Sequence, residues 1–271
     1  MSKTSTTLYT HGHERSALAS HSARTAKNSA AYLLPHLKPG MHLLDIGCGP
    51  GTITLDLAAL VAPGITIGIE NVDTPLVTAR TEAVARSDTT TRFQLADVLN
   101  LPFENETFNV VHAHQVLQHL KDPVAALREM VRVCKTDGFI AVRDADYAAM
   151  SWYPELPQLE RWRETYRAAA YANGAQPDAG RRLRAWAHAA GIANPQITAS
   201  VWSYADETAC QWWGNGQANR CAGSIFSNQA QEQGLDDAEI EAIVNGWRQW
   251  AAEPDAWFCM PHGELLAQIR R

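Results

Sequence analysis

The sequence predicts an α/β protein built on a doubly wound, mostly parallel sheet, with an N-terminal helix and a helical, tryptophan-rich cap. Three observations predict it. An apolar segment, Leu43, Leu44, Asp45 and Ile46, runs straight into a glycine-rich turn, Gly47, Cys48, Gly49, Pro50 and Gly51. A unit of apolar segment, terminal acid and helical stretch then repeats along the chain. All nine tryptophans (152, 162, 186, 202, 212, 213, 247, 250 and 257) fall after residue 150.

Glycine at alternate positions lets the backbone turn tightly and come close to a ligand without a Cβ in the way. Apolar residues at helical spacing over 52–60 place backbone N–H groups of a helix start at that turn. A dinucleotide site is one reading, but the acid Asp45 before the turn and the G-x-G-x-G spacing differ from the usual G-x-G-x-x-G fingerprint. A second strand is expected over 65–69, ending at Glu70, whose carboxylate would meet both ribose hydroxyls of a nucleoside on the turn. A helix over 76–86 and a strand over 91–96 follow, ending at Asp97 and Val98. Phe108 to His112 reads as a fourth strand, 115–120 as a short helical stretch, and Thr136, Asp137 and Gly138 as a turn into a fifth strand.

The pattern of Asp45 with Gly47, Cys48, Gly49 and Gly51, then Glu70 and Asp97, resembles motif I and its sequels in the class I S-adenosylmethionine (SAM)-dependent methyltransferases. The run from His112 to Leu120, then 123–133 and Lys135 to Gly138, is similar to the UbiE-type members of that group, although their Pro-Gly-Gly turn is Thr136-Asp137-Gly138 here. The likeness covers roughly residues 35–145, so it bears on fold and cofactor rather than acceptor. It implies a Rossmann-like core with SAM as cofactor: Asp45, Gly47, Cys48, Gly49, Gly51 and Glu70 on the ribose and methionine side, and Asp97 and Val98 near the adenine. His114 and Gln115 would line the methionine portion.

Three regions are expected: 1–34 closing the site, 35–150 binding the cofactor, and 151–271 supplying further strands and the cap. The cap reads as helices over 155–172, 178–190, 207–220 and 236–252, with one alternating strand over 196–204 and a short last strand over 257–260. Trp247 and Trp250 share a helix face, which favours packing. Trp212 and Trp213 diverge by about 100° around their helix, so one of them is a candidate to meet the acceptor. At the fifth strand's end Asp144, Asp146 and Tyr147 are candidate acceptor contacts. A general base is sought in His119, Tyr9, His11 or His13, imidazoles being able to take a proton near neutrality. His112 and His114 are expected to face opposite sides, leaving only one at the site. A helix over 16–34 would carry the N-terminal candidates.

Composition narrows the function. The formal net charge is −6 and arginines 181, 182 and 184 form the only dense basic spot, which argues against a nucleic-acid partner. No long apolar run exists and the first ten residues are polar, so neither a membrane partner nor a secretory leader is expected, and a cytoplasmic location follows. Five cysteines lacking a C-x-x-C give no metal site or disulfide framework, and the N-terminal histidines lack accompanying ligands. A homodimer is compatible with the sequence. The function expected from the resemblance is direct displacement of the SAM methyl by a small-molecule acceptor, a flat aromatic natural product. Actinobacterial enzymes that methylate the indole C3 of tryptophan-containing cyclic dipeptides are similar in size and in their tryptophan-rich cap. A catalytically silent SAM-binding partner protein and a nucleotide-dependent oxidoreductase stand as the other readings.

Overall fold

The computed structural model of the protein describes residues 24–271. Parallel strands β1 (Leu43–Ile46), β2 (Thr66–Glu70), β3 (Thr91–Leu95), β4 (Phe108–His114) and β5 (Cys134–Ala145) lie in the order 3-2-1-4-5. They are joined by α2 (Thr52–Val61), α3 (Asp73–Ala85) and α4 (Pro123–Val133), the crossover helices that parallel pairing requires. α4 starts where sequence chemistry favours it, with the Asp122 side chain accepting the Ala125 N–H at 2.8 Å and Pro123 at the first helical position.

The second half both finishes the sheet and builds the cap. β8 (Trp257–Gln268) runs antiparallel to β5, pairing Asp144 with Gly263 and Ala145 with His262. β7 (Gln196–Tyr204) pairs along the other edge of β8, and β6 (Ser151–Tyr153) pairs with its start, beyond the end of β5. Helices α5 (Pro157–Ala172), α6 (Leu183–Ala189), α7 (Glu207–Ala222), α8 (Ser224–Glu232) and α9 (Asp237–Ala252) complete the chain. One core cluster gathers Leu159, Trp162, Trp213, Ile243, Trp247, Trp250 and Phe258 between the cap helices and β8. Trp247 and Trp250 are fully buried, as their shared helix face implies. Among the described residues no helix is long and apolar enough to cross a membrane.

Several boundaries differ from those the sequence suggests. Within the described part of 16–34, only Ala26–Ser29 (α1) is helical. Ala30 leaves the helical region at φ −140°, and the chain continues as a 3-10 turn at Leu34–His36. Ala30 and Leu33 are buried in one cluster with Leu43 and Leu57, so packing on the sheet overrides a continuous helix. The turn at 136–138 is a bulge inside β5: Phe108 pairs with Cys134 but Val110 with Phe139, and Asp137 absorbs the extra length at φ +63°. The stretch at 115–120 is a single 3-10 turn, Leu117–His119. α8 was not expected, and the last strand runs eight residues further than Met260.

Candidate active site

Gly47, Gly49 and Gly51 all take positive φ, at +65°, +54° and +83°, and Gly51 caps the start of α2. A Cβ on Gly47 would sit 2.5 Å from Cγ2 of Val116, whereas one on Gly49 would meet nothing within 4 Å. The turn therefore needs glycine on its inner side and leaves open space outside, in front of the N–H groups that begin α2. Glu70 closes this space from β2, its Oε1 accepting the Gly49 N–H at 2.8 Å. Burial raises the Glu70 carboxyl pKa, with the N–H groups of Gly49 and Asn71 pulling it the other way. Asp97 follows β3 as an exposed side chain that accepts the Leu99 N–H at 2.9 Å, and Val98 beside it is buried.

Asp45 lies beneath this turn rather than on it. Its Oδ2 accepts the Thr54 hydroxyl at 2.5 Å and its Oδ1 stands 2.6 Å from Nδ1 of His112, so it ties β1, α2 and β4 together. Cys48 is also buried, and that burial pushes its thiol pKa well up. It packs as a small apolar side chain. His112 and His114, two residues apart on β4, share a face of the strand rather than opposing one another. Both are buried. The His114 ring stacks near His262 at 6.2 Å and lies 5.6 Å from Trp202, with its pKa driven well below the usual range by burial.

Gln115, directly after β4, takes φ +54°, a costly conformation for a residue with a side chain. Its Nε2 is 2.8 Å from Nε2 of His262, whose Nδ1 is 3.0 Å from the Met260 carbonyl. The carbonyl can only accept, and burial holds the His262 ring neutral, so Nδ1 carries the proton and Nε2 accepts from the Gln115 amide. Gln115 Oε1 is then the atom left to face a ligand.

Beyond Gln115 a cavity of about 370 Å³ opens between the sheet edge and the cap. Its walls are aromatic. Tyr204 of β7 stacks on Trp213 of α7 at 4.5 Å and 12°, and Tyr147 stacks on Tyr166 of α5 at 4.4 Å. Trp162, Trp202, Trp212 and Phe226 complete the planes, with Arg24, Asn28, Gln115 and Arg220 as polar points. The N-terminal segment closes one side, the Trp202 indole donating to the Asn28 carbonyl at 2.9 Å.

Of the expected acceptor residues, Tyr147, Trp212 and Trp213 stand on this wall. Trp213 is 5% exposed and Trp212 is 42% exposed, and despite their divergence both reach the cavity. Asp144 and Asp146 do not line it. Asp144 is fully buried and accepts the Gln118 N–H at 3.1 Å, with burial raising its pKa to about 8. Asp146 takes Arg181 in two contacts of 2.5 and 2.7 Å, holding the loop before α6. His119 is off the cavity wall as well. Its Nε2 accepts from the Gln118 amide at 3.1 Å, and burial lowers its pKa to about 3. Tyr9, His11 and His13 lie outside the described residues. Sequence reasoning missed Trp202, Tyr204, Tyr166 and Arg220. The alternation of Trp202 with Tyr204, and the four-residue spacing of Trp162 and Tyr166, were the available signals.

Comparison with known proteins agrees with this geometry. Residues 37–213 match the model of a family described as a methyltransferase domain. Over 98% of both chains the protein is 33% identical to a fission yeast (Schizosaccharomyces pombe) protein named uncharacterized methyltransferase C1B3.06c. It is 27% identical over 97% of both chains to the probable methyltransferase ltbC of Aspergillus luteorubrus. Among solved structures, the YcgJ protein of Bacillus subtilis superposes with a TM-score of 0.60 at 19% identity, covering 89% of this chain and 97% of that one.

Proposed function

The chain belongs to the family of class I SAM-dependent methyltransferases, and from that membership we propose that its acceptor is a flat aromatic small molecule held in the cap cavity. The enzyme class, a SAM-dependent methyltransferase, is carried by the family. The aromatic acceptor is supported by one observation, the stacked rings of Trp213 with Tyr204 and of Tyr147 with Tyr166 lining one cavity. Such planes offer a flat ring large contact area at fixed geometry.

The residues at the turn fit the cofactor. Gly49 leaves room where a Cβ would intrude, Glu70 stands where ribose hydroxyls can donate to it, and Asp97 and Val98 edge the adenine side. When bound there, SAM supplies a methyl group already activated by its sulfonium. The protein's work is then alignment and exclusion of water. Gln115, at the junction of turn and cavity, orients the acceptor through Oε1, and Trp213, Tyr204 and Tyr147 hold its ring. A finer reading is methylation of an indole C3 in a tryptophan-containing cyclic dipeptide, whose indole N–H would have Gln115 Oε1 as an acceptor on the cavity wall.

The test is a mass-spectrometric screen with methyl-deuterated SAM against demethyl-quinols, flavonoids, free indoles, aromatic acids and tryptophan-containing cyclic dipeptides, with aliphatic amines, aliphatic acids and sterols as non-aromatic acceptors. A labelled aromatic product is expected, and fragmentation locates the methyl on carbon, nitrogen or oxygen. Label transferred only to non-aromatic acceptors would overturn the reading.

A further inference from the structure

Arg220, on α7, lines the cavity with its guanidinium 5.5 Å from the Trp213 ring. Among the described residues its guanidinium has no hydrogen-bond or ion-pair partner, and its Nε is buried. Among the described residues no aspartate, glutamate or lysine stands on the cavity wall, which carries Arg24 and Arg220 as its charged groups. The phenols cannot supply the missing anion, since burial pushes Tyr204 up to about 12 and raises Tyr147 as well. A half-buried guanidinium on a largely aromatic wall, with no counter-ion among the described residues, favours an incoming anion over a neutral group. Stacking on Trp213 offsets part of the cost of burial and fixes the guanidinium plane, but supplies no acceptor for its N–H groups. The remaining polar wall groups, Asn28, Gln115, Ser203, Gln217 and Gln229, are neutral.

We propose that Arg220 is the seat of an oxyanion carried by the acceptor, so that the substrate is an aromatic acid whose carboxylate or equivalent group docks on Arg220 while its ring lies between the tryptophan and tyrosine planes. Arg favours this role because its planar fork matches a carboxylate with two N–H donors at once. The inference rests on the aromatic-acceptor reading and narrows it: a neutral cyclic dipeptide lacks the anion, so aromatic acids rank ahead of it.

The test uses the full-length protein saturated with S-adenosylhomocysteine. 2-Naphthoate, 2-naphthamide and cyclohexanecarboxylate are titrated in, with binding read from quenching of the intrinsic tryptophan fluorescence and by calorimetry. Naphthoate is expected to bind roughly tenfold to hundredfold more tightly than the amide, the usual range for a charge-assisted contact. Arg220→Met should erase that preference and Arg220→Lys should keep most of it. S-adenosylhomocysteine affinity serves as the folding control, and if Arg220→Met fails it, the lysine variant and the acid-to-amide ratio of the wild type carry the test. Equal binding of naphthoate and naphthamide would overturn the oxyanion seat while leaving the aromatic pocket intact, and so would a preference that survives in Arg220→Met. Cyclohexanecarboxylate binding as well as naphthoate would keep the seat and remove the aromatic reading. Failure of all three to bind would remove both.

Discussion

The side-chain amide of Gln115 donates to Nε2 of His262 at 2.8 Å, joining the end of β4 to β8 across 147 residues of sequence. Because His262 Nδ1 is committed to the Met260 carbonyl, the amide cannot flip without losing its partner, and Oε1 stays turned to the cavity. Gln115→Leu is therefore expected to raise the acceptor KM about fivefold, the effect of one hydrogen bond of about 1 kcal/mol, with SAM affinity within about twofold of wild type. A tenfold loss of SAM affinity by calorimetry would return Gln115 to the cofactor side, where the sequence puts it.

Glu70→Ala should weaken SAM by about 2 kcal/mol, roughly thirtyfold, through loss of two ribose contacts. Isothermal titration measures it directly. Unchanged affinity would show that the carboxylate serves only the Gly49 N–H.

At the turn the inner Gly47 and the outer Gly49 separate stability from binding. Gly47→Ala forces its Cβ onto Val116 and should cost thermal stability and SAM affinity together. Gly49→Ala meets no protein atom, so the fold should lose only about 1 kcal/mol for its positive φ. SAM affinity should fall far more, by tenfold or greater. A Gly49→Ala protein that binds SAM normally would place the cofactor elsewhere.

In the cap, Trp213→Ala removes a buried ring and should cost about 3 kcal/mol or more of stability. Trp212, partly exposed at the same cavity, should cost under about 1 kcal/mol on replacement by alanine yet raise the acceptor KM. Thermal melts and steady-state kinetics on the pair distinguish packing from recognition.

Asp144 gives a pH signature. Burial raises its folded pKa to about 8, above the unfolded value near 3.9, so the folded state retains a proton that the unfolded chain releases. The stabilisation this gives is complete below about pH 4 and is lost as pH rises through about 8. Asp144→Asn keeps an acceptor for the Gln118 N–H and removes the ionisation. It should match wild type near pH 4 and exceed it at pH 9 by about 5 kcal/mol in denaturant titrations, about four pKa units at about 1.4 kcal/mol each. Equal melting curves at pH 9 would sink the assignment. His119, with its pKa near 3, should leave no inflection around pH 6.5 in the rate profile, and an inflection there that vanishes in His119→Ala would contradict its burial.

The strands and crossover helices of the first half were largely legible in the sequence. Strand periodicity, glycine spacing and the acids Glu70 and Asp97 are local features, and each strand end sits within a residue or two of where the pattern puts it. The acceptor half was not. Asp144 and Asp146 read as site residues because they follow a strand on the functional edge, but one is locked under the 3-10 turn and the other by Arg181.

What the sequence determined by itself is the parallel α/β core, the glycine turn at its first strand and the presence of a tryptophan-rich cap, since these follow from periodicities of two and 3.6 residues, from glycine's freedom at positive φ and from where the tryptophans fall. What only the tertiary structure decided is which aromatic rings stack on one another, that His262 fixes Gln115, and that Arg220 has no counter-ion among the described residues. Those depend on where α7, β7 and β8 meet in space, and pairings between separate elements, up to 147 residues apart for Gln115 and His262, leave no local pattern in the chain.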